Sequence, residues 1–140
     1  MNRAIELHDS EIECATMHGT EVHVRFSVAY VHDSDGKPGI DDGTGWFQRA
    51  IFKLKSAELV LPEVKWPLRI YDGSLVVADT TYPNMIPIPL NGGSKIRLTI
   101  QGHEKSGNGE WKEFSIVGYE GSVELEGNRE SVEVFSRRPT

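Results

Sequence analysis

Apolar and polar positions alternate with a period of two through most of the chain. Val22, Val24, Phe26, Val28 and Tyr30 fall on one side of an extended backbone, and Glu21, His23, Arg25 and Ser27 on the other, the pattern of a half-buried β-strand. The segment before it alternates likewise, with Ile12 and Cys14 apolar and Glu11 and Glu13 polar, and His18-Gly19 predicts a hairpin between the two. A two-residue loop there would set Cys14 against His23 and mix the faces, so a three-residue loop or a bulge is expected to restore the alternation.

The same grammar continues downstream. Asp72-Gly73 suits a type I′ turn and predicts a hairpin with Ile70 opposite Leu75 and Leu68 opposite Val77. Ile86, Ile88 and Leu90 are expected to oppose Ile96 and Leu98 across Asn91-Gly92-Gly93. Pro87 and Pro89 lack N–H donors at positions that point the same way, which predicts a sheet edge. Leu98 and Ile100 then face Phe114 and Ile116 across a loop containing Gly107-Asn108-Gly109. A last hairpin, turning at Gly127-Asn128, sets Val123 and Leu125 against Val134 and Val132, a register that also puts Glu124 directly opposite Glu133. Trp46 to Lys55 fits a helix, with Phe47, Ala50, Ile51 and Leu54 on one side, about as well as a strand; the hairpins around it favour the strand. About nine or ten short strands make an all-β chain, an antiparallel β-sandwich or jelly roll, in a single domain over residues 1–140.

Composition narrows the partners. The 140 residues carry 15 Lys and Arg against 21 Asp and Glu, a net charge of −6 spread over both halves. The longest basic run, Arg137-Arg138, is too short to neutralise a phosphate backbone, so no nucleic-acid partner is expected. No apolar stretch is long enough to predict a membrane-spanning helix. Charges interrupt the first residues, Met1 to Asp9, before a signal-peptide core forms, which makes the cytoplasm the expected location. The single Cys14 has no internal disulfide partner, and its place in the alternation predicts a buried structural thiol.

Candidate chemistry is sparse. The segment from His32 to Gly43 holds Asp33, Asp35, Asp41 and Asp42, oxygen donors of the kind a hard cation takes, so a weak calcium site is one reading and a solvated turn-rich loop the other. The EF-hand pattern fails: counted from Asp33, Lys37 takes the third ligand position, Pro38 replaces the required glycine, and Thr44 stands at the bidentate glutamate. His8, His18, His23, His32 and His103 show no metal-ligand spacing, and no other cofactor is expected. Trp46, Trp66 and Trp111 sit at strand starts, either as core edges or as platforms for stacking sugars. His8, Asp9 and Ser10 are adjacent, and successive strand side chains point to opposite faces, so they form no Ser–His–Asp relay. A turn or cap in which Asp9 accepts backbone N–H bonds is the plainer reading. No catalytic residue is assigned.

Leu7-His8-Asp9-Ser10-Glu11-Ile12, together with Gly43-Thr44-Gly45-Trp46, Ile86-Pro87-Ile88-Pro89-Leu90 and Val132-Glu133-Val134-Phe135, resembles small uncharacterised bacterial β-sandwich proteins, some of them immunity-type proteins of toxin–antitoxin loci. The resemblance implies a non-enzymatic, protein-binding role of immunity or accessory type. In that role Glu124, Glu126 and Glu133 would form an acidic strip that receives a basic partner surface. A carbohydrate- or calcium-binding module is the alternative, and a metal-dependent cupin-like enzyme the second.

Overall fold

A computed structural model describes residues 1–90 and 93–136 of the chain. The described residues form eight strands: β1 (Asn2–His18), β2 (Glu21–Ser34), β3 (Gly43–Glu58), β4 (Leu68–Val77), β5 (Thr80–Pro83), β6 (Met85–Ile88), β7 (Lys95–Glu104) and β8 (Trp111–Phe135). All belong to one antiparallel sheet in the order β5-β4-β7-β8-β3-β2-β1-β6, and β4 also pairs with β1 through Arg69–Glu11 and Leu68–Ile12. That last pairing returns the sheet on itself around a core containing Phe26, Trp46, Phe52, Leu54, Leu68, Leu75, Ile96 and Ile116. The all-β, antiparallel expectation holds. No helix of the described residues is long and apolar enough to cross a membrane.

There are fewer strands than the alternation suggests because β1 and β8, 17 and 25 residues long, each change partner partway along. β1 pairs with β6 over Arg3 to Glu6 and with β4 at Glu11 and Ile12. β8 pairs with β7 over Trp111 to Tyr119 and with β3 over Val117 to Phe135. Bulges let such long strands bend around a core.

The first hairpin turns through Gly19-Thr20, between His18 and Glu21. The expected bulge lies at Glu13, between Ile12 opposite Phe26 and Cys14 opposite Arg25. Cys14 is half-buried, and that burial pushes its thiol pKa up. The ambiguous segment from Trp46 is strand β3. Leu98 opposes Ile116 and Ile100 opposes Phe114, as expected. β6 lies at the end of the sheet order, as Pro87 and Pro89 predict, yet its partner is β1: Ile86 opposes Ile5, not Ile96. Asn91 and Gly92, on which the expected β6–β7 turn rests, lie outside the described residues, as do Arg137 and Arg138.

Two turn expectations are corrected. β4 runs through Asp72-Gly73 without reversing, with Tyr71 bulged out between Ile70 opposite Gly102 and Asp72 opposite Gln101. Gly73 serves close approach: a Cβ there would lie 2.6 Å from the Thr99 carbonyl oxygen and 2.9 Å from Leu7 Cδ1. The turn instead follows Val77, which pairs with Thr80. β8 likewise passes through Gly127-Asn128 without reversing, with Gly127 (φ 74°) and Ser131 (φ 54°) absorbing irregularities against Phe47 and Gly45. Reversal there would leave the first half of β3 without a partner on that side.

The His8-Asp9-Ser10 motif is structural. Asp9 has a φ of 72° at the break in the β1–β2 ladder between Glu6 and Glu11. The fully buried Ser10 bridges the gap: its hydroxyl donates to the Glu6 carbonyl (2.6 Å) and accepts from the Tyr30 N–H (3.0 Å). The His8 N–H donates to Asn84 Oδ1 (2.7 Å). Asp9 reaches His8 Nδ1 at 3.4 Å and Arg69 at 3.5 Å, so its carboxylate meets side chains where the sequence suggests backbone N–H groups.

Candidate functional site at the open end of the sheet

Because β7 leaves β8 at Tyr119 and β4 touches β1 only at Glu11 and Ile12, the sheet closes at one end and stays open at the other. At the open end five strands lie in the order β6-β1-β2-β3-β8. Among the described residues, β8 beyond Tyr119 pairs with β3 alone, so its other edge presents backbone groups without a strand partner. Val132 and Val134 on this stretch are 57% and 80% exposed.

One face of the open end is tied by charge. Ile88, Arg3, Asp33, Thr44 and Val134 form a cross-strand row. Within it, Arg3 Nε and Nη2 donate to the two Asp33 carboxylate oxygens at 2.6 and 2.9 Å. The Arg3 hydrogen bond holds the Asp33 carboxyl below the usual carboxylate range, with further help from the charges of Arg3, Arg129 and the amino terminus, against burial. Behind this pair the fully buried Trp46 carries the Arg129 guanidinium 3.9 Å and the Arg3 guanidinium 5.2 Å from its ring centroid.

The opposite face carries rings. Glu6 and His32 occupy neighbouring rows and meet at 2.8 Å (Oε2 to Nε2). Tyr30 stacks on Phe47 (4.6 Å between centroids) and tilts against His32 (4.3 Å), which also meets Phe135 (5.3 Å). Burial, then the charges of Glu133, Glu6 and Asp9, pushes the Tyr30 hydroxyl pKa up. Beside them a groove of about 580 Å³ runs between the start of β1, the β5–β6 segment and the loop 35–42; Lys37, Ile40, Tyr82, Met85 and Ile88 line it with Arg3.

The sequence-predicted residues are distributed differently from expectation. Glu124 does not face Glu133: Glu124 lies opposite Ile51 and accepts from Lys53 Nζ at 3.1 Å, Glu126 lies opposite Arg49, and Glu133 opposite Gly45. All three are exposed on the half of β8 that has the free edge. Asp33 belongs to β2 and is committed to Arg3, whereas Asp35, Asp41 and Asp42 lie in the loop 35–42. Asp41 Oδ2 accepts from the Lys37 N–H at 2.7 Å, and the Asp42 carbonyl accepts from Ser34 Oγ at 2.7 Å. Among the described residues no group of three or more His, Cys, Asp and Glu is arranged to hold a metal ion. The tryptophans divide: Trp46 is core, Trp66 packs partly buried against it, and Trp111 is 53% exposed beside the exposed Tyr71, ring centroids 5.6 Å apart.

The stacking of Arg129 on Trp46 and the groove escape sequence reasoning, since each joins segments whose pairing is not local, and the Glu6–His32 pair escapes it because the break between Glu6 and Glu11 shifts the register of the predicted β1–β2 hairpin. The one available signal is that Arg3, Glu6, His32 and Asp33 interrupt otherwise apolar alternation at the same end of two strands.

The bidentate pair predicts a pH dependence. Asp33 has a depressed pKa in the folded chain, so its contribution to stability is present above the unfolded carboxylate pKa and is lost as pH falls through the folded value. Arg3→Gln is expected to lower stability at pH 7, and urea titrations down to pH 2.5 are expected to show the gap from wild type closing as Asp33 becomes protonated in both. A gap of constant size throughout would contradict this.

Comparison with family models, with curated proteins and with solved structures returned no match.

Proposed function

We propose that this chain is a non-enzymatic protein-binding β protein that takes an extended basic segment of its partner as an added strand along the free edge of β8. The carrying observation is that edge itself: from Glu120 to Phe135, β8 is paired on one side only among the described residues. Strand addition draws affinity from main-chain hydrogen bonds and selectivity from side chains. Here the selective groups are acidic, with Glu124, Glu126, Glu130 and Glu133 against the single Arg129, while Val132 and Val134 supply exposed apolar surface. Opposite charge raises the encounter rate and sets the register, and like charge rejects wrong partners.

This reading treats the wall of β1, β2 and β3 and the wall of β4, β7 and early β8 as two layers over one core, in the manner of a sandwich. It also keeps the immunity-type role that the resemblance implies and the cytoplasmic location expected from the charged first residues, with a cationic toxin as the source of the basic segment. A second reading, stacking of a carbohydrate ring, draws on the exposed Trp111–Tyr71 pair.

The test is an NMR titration with a blocked synthetic peptide of alternating Lys and Val. Amide signals of residues 120–135 are expected to shift and gain protection from exchange, and Glu124→Gln/Glu126→Gln/Glu133→Gln to weaken binding about tenfold, for a few tenths to about 1 kcal/mol per exposed charge. A Glu–Val peptide is expected not to bind. Equal response to both peptides, or shifts centred on Trp111, would overturn the proposal.

A further inference from the structure

The groove beside β6 has a chemistry of its own. Its volume, about 580 Å³, falls within the range of small-molecule sites, which pair a mainly apolar lining with a few polar groups. The lining here is mainly apolar, with Ala4, Ile40, Met85 and Ile88 among it and the Tyr82 ring beside them. Ile40 is 59% exposed, so apolar surface in this groove is left uncovered. In a chain with 21 acidic and 15 basic residues, the described residues that line the groove include Arg3 and Lys37 and no Asp or Glu. Arg3 gives two of its donors to Asp33, and a guanidinium has five. Asp33 offsets the charge of Arg3, so the positive side-chain charge that remains on the lining is that of Lys37, opposite in sign to the charge of the molecule as a whole.

From this complementarity we infer that the groove binds a small aliphatic carboxylate, its chain laid against Ile40, Met85 and Ile88 and its carboxylate at Lys37 with support from Arg3. The ammonium of Lys37 is a mobile point charge suited to an exposed carboxylate at the rim. The apolar wall contributes in proportion to the chain area it takes from water. The groove is open, so the carboxylate keeps part of its hydration and escapes the cost of burying a charge. This site shares no residue with the free β8 edge, and each proposal can fail without the other.

The probes are hexanoate, octanoate and decanoate below their aggregation limits, with octylammonium as the charge-reversed control, each followed by two-dimensional NMR and calorimetry. Binding is expected to tighten about threefold to tenfold for each two methylenes added, with signals of Ile40, Met85 and Ile88 shifting. Lys37→Glu, a substitution in an exposed loop, is expected to weaken octanoate at least tenfold and to strengthen octylammonium. Ile40→Asp serves as a second variant that removes both the apolar contact and the charge match. The inference is overturned if octanoate and octylammonium bind the wild type equally, if the shifts lie outside the groove, or if millimolar decanoate moves nothing.

Discussion

Trp46→Ala is expected to cost about 4 kcal/mol of folding stability, since truncating a buried aromatic typically removes about 3–5 kcal/mol. Trp46 is the largest of the fully buried side chains and stands opposite Val31, which in turn opposes Ile5, so it fills the core where the sheet begins to open. Its indole N–H donates to Gln48 Oε1 at 2.9 Å, leaving no unpaired buried donor. The guanidiniums of Arg129 and Arg3 lie over its ring, and each such contact adds roughly 0.5–2 kcal/mol according to its desolvation. Alanine would leave a cavity beneath two cations that have lost their aromatic partner. The thermal midpoint is expected to fall by about 16 °C, taking roughly 4 °C per kcal/mol, where the ranges for smaller and larger domains meet. Trp46→Phe should recover most of the loss, because it keeps a ring in the cavity and gives up mainly the N–H bond. A loss below about 1.5 kcal/mol in Trp46→Ala by urea unfolding would show that this end of the core is not packed as described.

Gly102→Ala is the second large expectation, and it acts by crowding. A Cβ at Gly102 would lie 2.2 Å from the Arg69 carbonyl oxygen, 3.0 Å from the Arg69 carbonyl carbon and 3.1 Å from Ile70 Cα. All three are backbone atoms of β4, so no side chain can swing aside, and the β4–β7 ladder must separate. Overpacking costs typically 1–3 kcal/mol and more where the neighbour cannot yield, so a loss of about 3 kcal/mol is expected. The damage should spread to closure of the sheet, since Arg69 and the adjacent Leu68 are the β4 residues that pair with β1. Amides of Leu68 to Ile70 should lose protection from hydrogen exchange before those of β2 and β3. Gly107→Ala is the control: nothing lies within 4 Å of a Cβ there, and only its φ of 63° opposes the change, for about 1 kcal/mol. Equal midpoints for the two variants would refute the close approach.

Alternation by itself determined that most of the chain is strand and which side of those strands is apolar, while Trp46 to Lys55 fitted a helix about as well and needed its neighbours to decide it. Leu98 and Ile100 against Phe114 and Ile116 came out as expected because those strands are neighbours in sequence and the Gly-rich loop between them allows the pairing. The edge position of β6 was legible for a similar reason: a proline lacks its N–H wherever its strand lies. The glutamates of β8 were legible as exposed, and their mutual geometry was not.

Tertiary structure decided partners. Asp72-Gly73 and Gly127-Asn128 have strong turn chemistry, yet both lie inside strands. A favourable turn contributes on the order of 1 kcal/mol, comparable to a single cross-strand pair, whereas β4 and β8 each gain a run of pairs by continuing. Ile86 finds Ile5 across a distance in sequence that no local pattern encodes, and Arg3 finds Asp33 only through the register shifts between Glu6 and Cys14 in the first hairpin. Local alternation is set by the pleat of one strand, but register and closure are set by which apolar faces meet to fill a single core, and that choice involves the whole chain at once.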